Sequence, residues 1–431
     1  MLDNKQLYNR EREQQIVKEV VEQAKTTGAF QCFINLFGLR GIGKSFTIRW
    51  LRDRYCQDEN ILVAQLDTEL PQAGIKSLNK DVSITSIHLA GQFIELAELS
   101  RAKSHAEATV LFTDDMDKLG RETLYSLEQD ALRKVFELPE LSHLVVIASS
   151  QSRLEWMDFS VRRRQISRKL SPFGEGTVKK EIQNSVPNYT SFAERLCRIS
   201  GGFPLSVEQI IEYLKNENPN FADVIEERKL VKRNFDRFVV GYIMRDYSPI
   251  KRQTLETLAV LRRFDIAIMR AFLPVFLEKP YRGYSVADYL GLVGELTEAA
   301  LVQWRYDRRG YSIDEDLRSI VIEYLRACDE KFRDKHAEAA RVNRDLIAGP
   351  ESAESRIRYA IEWLYHNTYG QNKPPFCITA DDLEEMIGSL HTVTHNLDID
   401  RRVEIKEIFK EDLELQSMLD DSAQQYLGNL T

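Results

Sequence analysis

The residues of this chain best suited to chemistry are a lysine, a hydroxyl and two neighbouring carboxylates. Lys44 and Ser45 close the stretch Gly38-Leu39-Arg40-Gly41-Ile42-Gly43-Lys44-Ser45, of the form GxxxxGKS. Glycines at 38, 41 and 43 let the backbone turn tightly, so that successive N–H groups point at phosphate oxygens. The N-terminus of a following helix adds its dipole. In this reading Lys44 reaches the β- and γ-phosphates and Ser45 holds Mg²⁺. The cradle comprises Gly38, Leu39, Arg40, Gly41, Ile42, Gly43, Lys44, Ser45 and Phe46.

The carboxylates follow in Thr109-Val110-Leu111-Phe112-Thr113-Asp114-Asp115, apolar until its last two residues. In a parallel sheet the carboxyl ends of the strands face one crevice, so acids there meet the phosphate loop. We assign Asp114 to the metal and Asp115 to the catalytic base, with Asp117 as a spare acid. A third polar group, Ser149-Ser150-Gln151-Ser152-Arg153, follows the apolar run Leu144-Val145-Val146-Ile147-Ala148. Ser149, Ser150 and Arg153 are candidates for sensing a γ-phosphate, with a plain polar loop as the alternative.

These groups require a βα scaffold. Cys32-Phe33-Ile34-Asn35-Leu36-Phe37 reads as a buried strand and Phe46 to Arg52 as a helix. Ile61 to Asp67 reads as a second strand, ended by a break at Pro71 and Gly74. A helix follows over Ser86 to Leu99, then the strands ending in Asp115 and Ala148. Ahead of all of these, an amphipathic helix carries Ile16, Val17, Val20 and Val21. The arginines at 162, 163 and 164, with Arg168 and Lys169, read as a solvated face ahead of an anion, nucleic-acid or neighbouring-subunit contact.

From Gly174 helices take over: Val178 to Ser185, Ser191 to Ile199, then Gly201-Gly202-Phe203-Pro204 and a helix from Leu205 to Leu214. Pro204 suits a first helical turn, where its missing N–H costs nothing. Helices over Gln253–Leu261, Ile266–Leu273 and Val286–Ala299 precede a hairpin of Leu301–Trp304 with Tyr311–Ile313, which is the order of a winged helix. Glu295 and Glu298 on its third helix are ill suited to a DNA groove. The remainder, from Leu317, is helical apart from a loop over Gly370 to Ile378. His391 and His395, at i and i+4 without a third ligand nearby, read as surface residues.

Composition narrows the class. A net charge of -8 argues against a dedicated nucleic-acid coat. Five scattered cysteines without CxxC spacing exclude a zinc ribbon and a disulfide framework, which fits a reducing cytoplasm. No apolar run reaches membrane-spanning length, and no signal-peptide core opens the chain.

Over about residues 7 to 325 the chain resembles the STAND class of P-loop ATPases, relatives of AAA+ proteins that include NB-ARC and NACHT modules. Tyr8-Asn9-Arg10-Glu11-Arg12-Glu13 is similar to the class's GRExE element, with Asn9 where glycine is usual. Gly201-Gly202-Phe203-Pro204-Leu205 is similar to its GGxPL element. The resemblance implies that Arg10 lies against the nucleotide and that Pro204 packs on its adenine or ribose. Two departures stand out: Asp314 takes the place of the ADP-sensing histidine at the end of the winged helix, and Ser149-Ser150-Gln151 lacks the arginine common there, leaving Arg153 as its substitute.

The expected fold is α/β: a P-loop NTPase parallel-sheet domain (1–173), then a helical lid domain (174–246), a winged-helix domain (247–328) and a C-terminal helical region (329–431). The expected function is an ATP/ADP-binding switch with Mg²⁺ and slow ATP hydrolysis, closed with ADP and open with ATP. It would self-associate in the ATP state and signal to an unidentified effector or sensor protein. With seven residues ahead of the GRExE-like element, the resemblance places the output in the C-terminal helices or in another protein. The alternatives are a DNA-binding AAA+ ATPase of the replication-initiator or transposition-regulator kind, with nucleic acid the less favoured partner, and a scaffold in which nucleotide is purely structural.

Overall fold

The structure, a computed structural model, describes residues 9–27, 30–68, 74–79, 89–102, 106–137, 143–220, 223–349, 352–370, 377–394 and 399–430. Tyr8, Pro71, Ser86 and His395 of the sequence reading lie outside them. The chain divides into two compact units, Met1–Phe221 and Ala222–Thr431.

Unit 1 is built on six strands: β1 (Cys32–Phe37), β2 (Ile61–Asp67), β3 (Gly74–Ser77), β4 (Ala108–Thr113), β5 (Leu144–Ser150) and β6 (Gln165–Lys169). They form one sheet in the order β3-β2-β4-β5-β1-β6. Every pairing is parallel except that of β3 with β2. Strands β4 and β5 are buried along their whole length, as expected where helices cover both faces of a parallel sheet. Helices α1 (Glu11–Thr27), α2 (Lys44–Tyr55) and α3 (Leu89–Ala102) belong to these layers. Val17, Val20, Val21 and Ala24 of α1 are buried, so its apolar stripe turns inward.

Two strands were not expected. Gly74–Ser77 pairs back on β2, where the sequence suggested only a break. Part of the arginine-rich stretch is edge strand β6, paired with β1 from Phe33↔Gln165 to Phe37↔Lys169. Its five residues are all half-buried, and Arg168 Nε contacts Glu13 Oε1 at 3.2 Å, reaching back to α1. Charged residues on a sheet edge also discourage pairing with another chain. Arg162 and Arg163 remain exposed.

The unit ends in helices Glu175–Ser185, Ala193–Ser200 and Pro204–Glu217. Pro204 is the first residue of the last of these, where its fixed φ and absent N–H suit the turn.

Unit 2 opens with helix Val224–Asn234, continued by a π-helical stretch over Phe235–Ile243 that the sequence reading left unassigned. Phe235 stacks on Tyr324 with ring centroids 3.7 Å apart. Helices Pro249–Leu258, Ile266–Phe276 and Val286–Glu298 then lead to a hairpin of β7 (Val302–Arg305) and β8 (Gly310–Ile313). Phe264, between the first two helices, bridges to Tyr311, with both backbone N–H···O distances 2.8 Å. Three helices, a one-residue bridge between the first two and a terminal hairpin follow the order of a winged helix. Helices from Glu315–Cys328 to Asp421–Asn429 complete the unit. Among the described residues no helix is long and apolar enough to cross a membrane.

A buried ionic cluster ties the winged helix to the C-terminal helices. Arg262, 1% exposed, pairs with Glu362 at 2.7 Å and Asp412 at 2.9 Å. Arg318 pairs with Glu414 at 3.1 Å. Burial pushes the Arg262 guanidinium down, but Glu362 and Asp412 outweigh it and hold the charge. Burial likewise raises Glu414, yet Arg318 and Arg262 bring it to about 2.

Candidate functional site

Strand β5 lies between β1 and β4, so the loops leaving β1 and β4 stand about two strand spacings, or roughly 10 Å, apart across it. Such a gap fits a phosphate chain with a cation. The loop after β1 carries Gly38, Gly41 and Gly43 at φ 152°, 84° and 95°, conformations that side chains resist. Gly43 in left-handed geometry precedes α2, whose first residue is Lys44. Leu39 and Ile42 are buried, anchoring the loop, while Arg40, Ser45 and Phe46 are half-buried.

Lys44 is 6% exposed. Its Nζ donates to the carbonyls of Gly38 at 2.7 Å and Leu39 at 3.1 Å. Burial pushes its ammonium down, opposed by Asp115, Asp117 and Asp114. The lysine is therefore folded into its own loop, in reach of the acids' field.

The acids turn off the end of β4. Asp114 Oδ1 accepts from the Ser149 hydroxyl and from Asp115 N at 3.1 Å. Its backbone carbonyl accepts from Thr68 Oγ1 at 3.0 Å, at the end of β2. Asp115 sits at φ 49°, a left-handed backbone that costs about 1–2 kcal/mol for a residue with a Cβ, and its carboxylate pairs with Lys118 at 3.0 Å. Asp117 accepts from Gln151 N at 3.0 Å and Gln151 Nε2 at 3.2 Å. Ser149 and Ser150 are buried, whereas Arg153 is exposed on the loop beyond them. The structure thus brings Ser149 to the acids, while Arg153 stays at the rim.

Two distant segments close on the phosphate loop. Arg10, 3% exposed, donates from Nη1 to the Ser171 carbonyl at 2.9 Å and from Nη2 to the Ile42 carbonyl at 2.8 Å. It also lies over the Phe173 ring, 5.7 Å from its centroid. Burial lowers its pKa, against the pull of Glu13 and Glu11. A Cβ built on Gly43 would lie 3.7 Å from Pro204 Cγ and 3.9 Å from Arg10 Nη2. Leu205 N donates to the Gly41 carbonyl at 3.4 Å. Residues near 10, 43 and 204 are thus one constellation, and Asn9 joins it through a bond from Nδ2 to the Pro172 carbonyl at 3.2 Å.

These residues fit a nucleotide with a divalent cation. The loop offers backbone donors and Lys44, and among the described residues the Ser45 hydroxyl and Asp114 Oδ2 have no hydrogen-bond partner, leaving lone pairs for a hard cation. Sequence reasoning missed Asn35, Thr68 and Gln151. Asn35 carried a signal, as a polar residue in the apolar run Cys32–Phe37.

No protein-family model matches the chain, and no curated protein matches it. Among solved structures, the Thermotoga maritima RuvB Holliday junction branch migration motor aligns at 17% identity over 71% of this chain and 92% of that one, with TM-score 0.37. Cdc6p from Pyrobaculum aerophilum aligns at 15% identity over 75% and 95%, with TM-score 0.40. C. elegans PCH-2 aligns at 11% identity over 42% and 48%, with TM-score 0.27. Likenesses this distant do not say what the chain binds.

Proposed function

We propose that the chain is an ATP/ADP-binding switch of the STAND kind, with slow ATP hydrolysis as its reset. The observation that carries this reading is the convergence of Arg10, Gly43 and Pro204, from segments of unit 1 far apart in sequence. A lone phosphate loop would need only Gly38 to Ser45. Two extra segments packed on its turn supply contacts that can differ between ADP and ATP, which a switch requires.

In this proposal the site residues take the following roles. Lys44 and the loop N–H groups hold phosphate oxygens, and Ser45 with Asp114 holds Mg²⁺. Bound ATP supplies the phosphoanhydride bond, and Asp115 orients the attacking water and takes its proton. Lys118, half-exposed, pairs with Asp115 Oδ2 and leaves the other carboxylate oxygen for that water. Self-association in the ATP form, an effector or sensor protein as partner and a cytoplasmic setting belong to the same proposal.

The DNA-binding alternative draws support from the winged helix. Its hairpin arginines are, however, engaged at home: Arg305 with Asp307 and Glu315, Arg308 with Glu315 and Asp412, and Arg309 with Glu354. Glu295 and Glu298 on the third helix are exposed. Few cations there are left for phosphate neutralisation, the main source of DNA affinity.

Calorimetric titration with ADP and with a slowly hydrolysed ATP analogue tests the first reading. Binding lost in Lys44→Ala, with a change in solution size or shape between the two nucleotides, is the expected result. Absence of binding by the unaltered chain sinks it, and salt-sensitive DNA binding in the presence of ATP would favour the alternative.

A further inference from the structure

Between the acids after β4 and the phosphate loop after β1 runs the segment 149–154, which leaves β5 and is fastened on both sides. Toward β1, Asn35 is fully buried and uses both ends of its amide. Nδ2 donates to Ser150 Oγ at 2.8 Å and Oδ1 accepts from Leu154 N at 2.9 Å. Gly38 N adds a bond to the Ser150 carbonyl at 3.2 Å. Toward β4 there are two fasteners. Ser149 Oγ serves both the Asp114 carboxylate and Asp115 N, the latter at 3.0 Å. The second is Asp117, whose two oxygens take the backbone and side-chain N–H groups of the single residue Gln151.

A carboxylate that receives two donors from one residue fixes that residue's orientation as well as its position. Ser149, held in the β5–β1 ladder opposite Leu36, sets the Asp114 carboxylate and the backbone of Asp115, and Asp117, through Gln151, ties the segment that leaves β5 just beyond Ser149 to the turn after β4. We propose that Asp117 is a positioning residue for ATP hydrolysis: it holds the β5 loop in register with the metal-binding acid and the base, itself touching neither nucleotide nor metal. This rests on the ATPase reading above. It assigns a role to the spare acid: neither Asp117 nor Gln151 is hydrogen-bonded to residues 38–45 among the described contacts, and because the Asp117 charge does reach Lys44, the clasp is separated from the charge by comparing Asp117→Asn with Asp117→Ala, which both remove that charge.

The chemistry of the clamp dictates its test. Asparagine at 117 can still accept from Gln151 N, and its own amide N–H can meet Gln151 Oε1 once that side chain turns over, so Asp117→Asn keeps the clasp without the charge. Asp117→Ala removes it. Because a displacement of about 1 Å at reacting groups costs on the order of 100-fold in rate, loosening one of two fasteners is expected to lower kcat about tenfold. Steady-state ATP hydrolysis and ADP affinity should be measured on the full chain for the unaltered protein, Asp117→Asn, Asp117→Ala and Gln151→Ala. Asp117→Ala should lose kcat with KM and ADP affinity within about twofold, and Asp117→Asn should keep at least about a third of kcat. Gln151→Ala, which spares the backbone bond, should fall between them and serves if Asp117→Ala does not fold.

Unchanged kcat in Asp117→Ala or, where that variant does not fold, in Gln151→Ala overturns the proposal. So does Asp117→Asn as damaged as Asp117→Ala, because that outcome makes the charge, not the clasp, the working feature. Loss of ADP affinity in parallel with kcat overturns it as well. An unaltered chain that binds nucleotide without turnover removes the reaction and the proposal together, and is told apart from these by its own null rate.

Discussion

At the scale of single residues, glycines in this chain divide sharply by what surrounds them. Gly202 has φ +69°, and a Cβ there would lie 2.2 Å from the Phe173 carbonyl oxygen. That carbonyl belongs to the residue whose N–H donates to the Gly202 carbonyl at 2.7 Å, so neither strand of the contact can move freely. Gly202→Ala is expected to destabilise unit 1 by at least about 2 kcal/mol, the left-handed backbone alone accounting for about 1–2 kcal/mol. Gly291 and Gly294 are interior to helix Val286–Glu298 and exposed, with open space where a Cβ would go. Alanine at either should stabilise unit 2 by about 0.8–1 kcal/mol. Urea unfolding of the three variants checks both signs. Asp314 belongs to the same scale: its side chain accepts from Asp316 N at 3.1 Å and Leu317 N at 3.4 Å. It caps helix Glu315–Cys328, which explains an aspartate there without reference to nucleotide.

At the scale of elements, helices Phe332–Ile347 and Ala353–Gly370 share a buried histidine pair. His336 Nδ1 and His366 Nδ1 lie 3.0 Å apart, and both rings are at most 1% exposed. Only one of the two nitrogens can carry the proton, so the bond fixes opposite tautomers in two neutral rings. Burial holds both pKa values well below the usual histidine value, with Arg318 and Arg326 adding to the effect on His336, Arg262 and Arg318 to that on His366, and Glu414 opposing on both. Unfolding returns the rings to about 6.5. The unfolded chain therefore binds more protons below that pH, so the stability is fully present above about 6.5 and is lost as pH falls beneath it. Each ring should contribute up to about 1.4 kcal/mol per pH unit. Unfolding of unit 2 followed from pH 7.5 to 5 should show this slope, and His366→Phe should reduce it; a flat profile would contradict it.

These elements also mark what could be read ahead of the structure. Strands β1, β2, β4 and β5 announce themselves as apolar runs because both their faces are covered. Strand β6 does not: its side chains are half-buried at an edge, Arg168 meets a carboxylate of α1, and the run Gln165–Lys169 therefore looks like surface. Strand β3 has four residues, too few for alternation to register. The π-helical stretch Phe235–Ile243 departs from the 3.6-residue period on which helix recognition depends. In the site, Gly38 to Ser45 and Asp114-Asp115 were legible because their spacing is local. Asn35, Thr68 and Gln151 were not, because their partners are 34 to 119 residues distant and brought near only by sheet order, from Gln151 with Asp117 at a separation of 34 to Asn35 with Leu154 at 119. The buried pairs of Arg262 with Glu362 and Asp412 span separations of 100 and 150, beyond any sequence pattern.

At the scale of the whole molecule, two units with separate cores frame what a nucleotide can do. The site described above lies wholly in unit 1, and the ionic cluster around Arg262 and Arg318 lies wholly in unit 2. Breaking that cluster would leave buried charges unpaired, so the winged helix and the C-terminal helices should unfold together. Calorimetry of the unliganded chain should accordingly resolve two transitions, one for each unit. A ligand at about 100 times its Kd stabilises the state that binds it by about 2.7 kcal/mol. If ADP bound unit 1 without consequence for unit 2, only one transition would rise. A switch demands more, since a nucleotide biases a two-state arrangement only through contacts that differ between the states. We therefore expect ADP to raise both transitions, a slowly hydrolysed ATP analogue to raise the unit 1 transition while moving that of unit 2 less, and Lys44→Ala to abolish every shift. A unit 2 transition indifferent to both nucleotides would leave a P-loop protein without a switch.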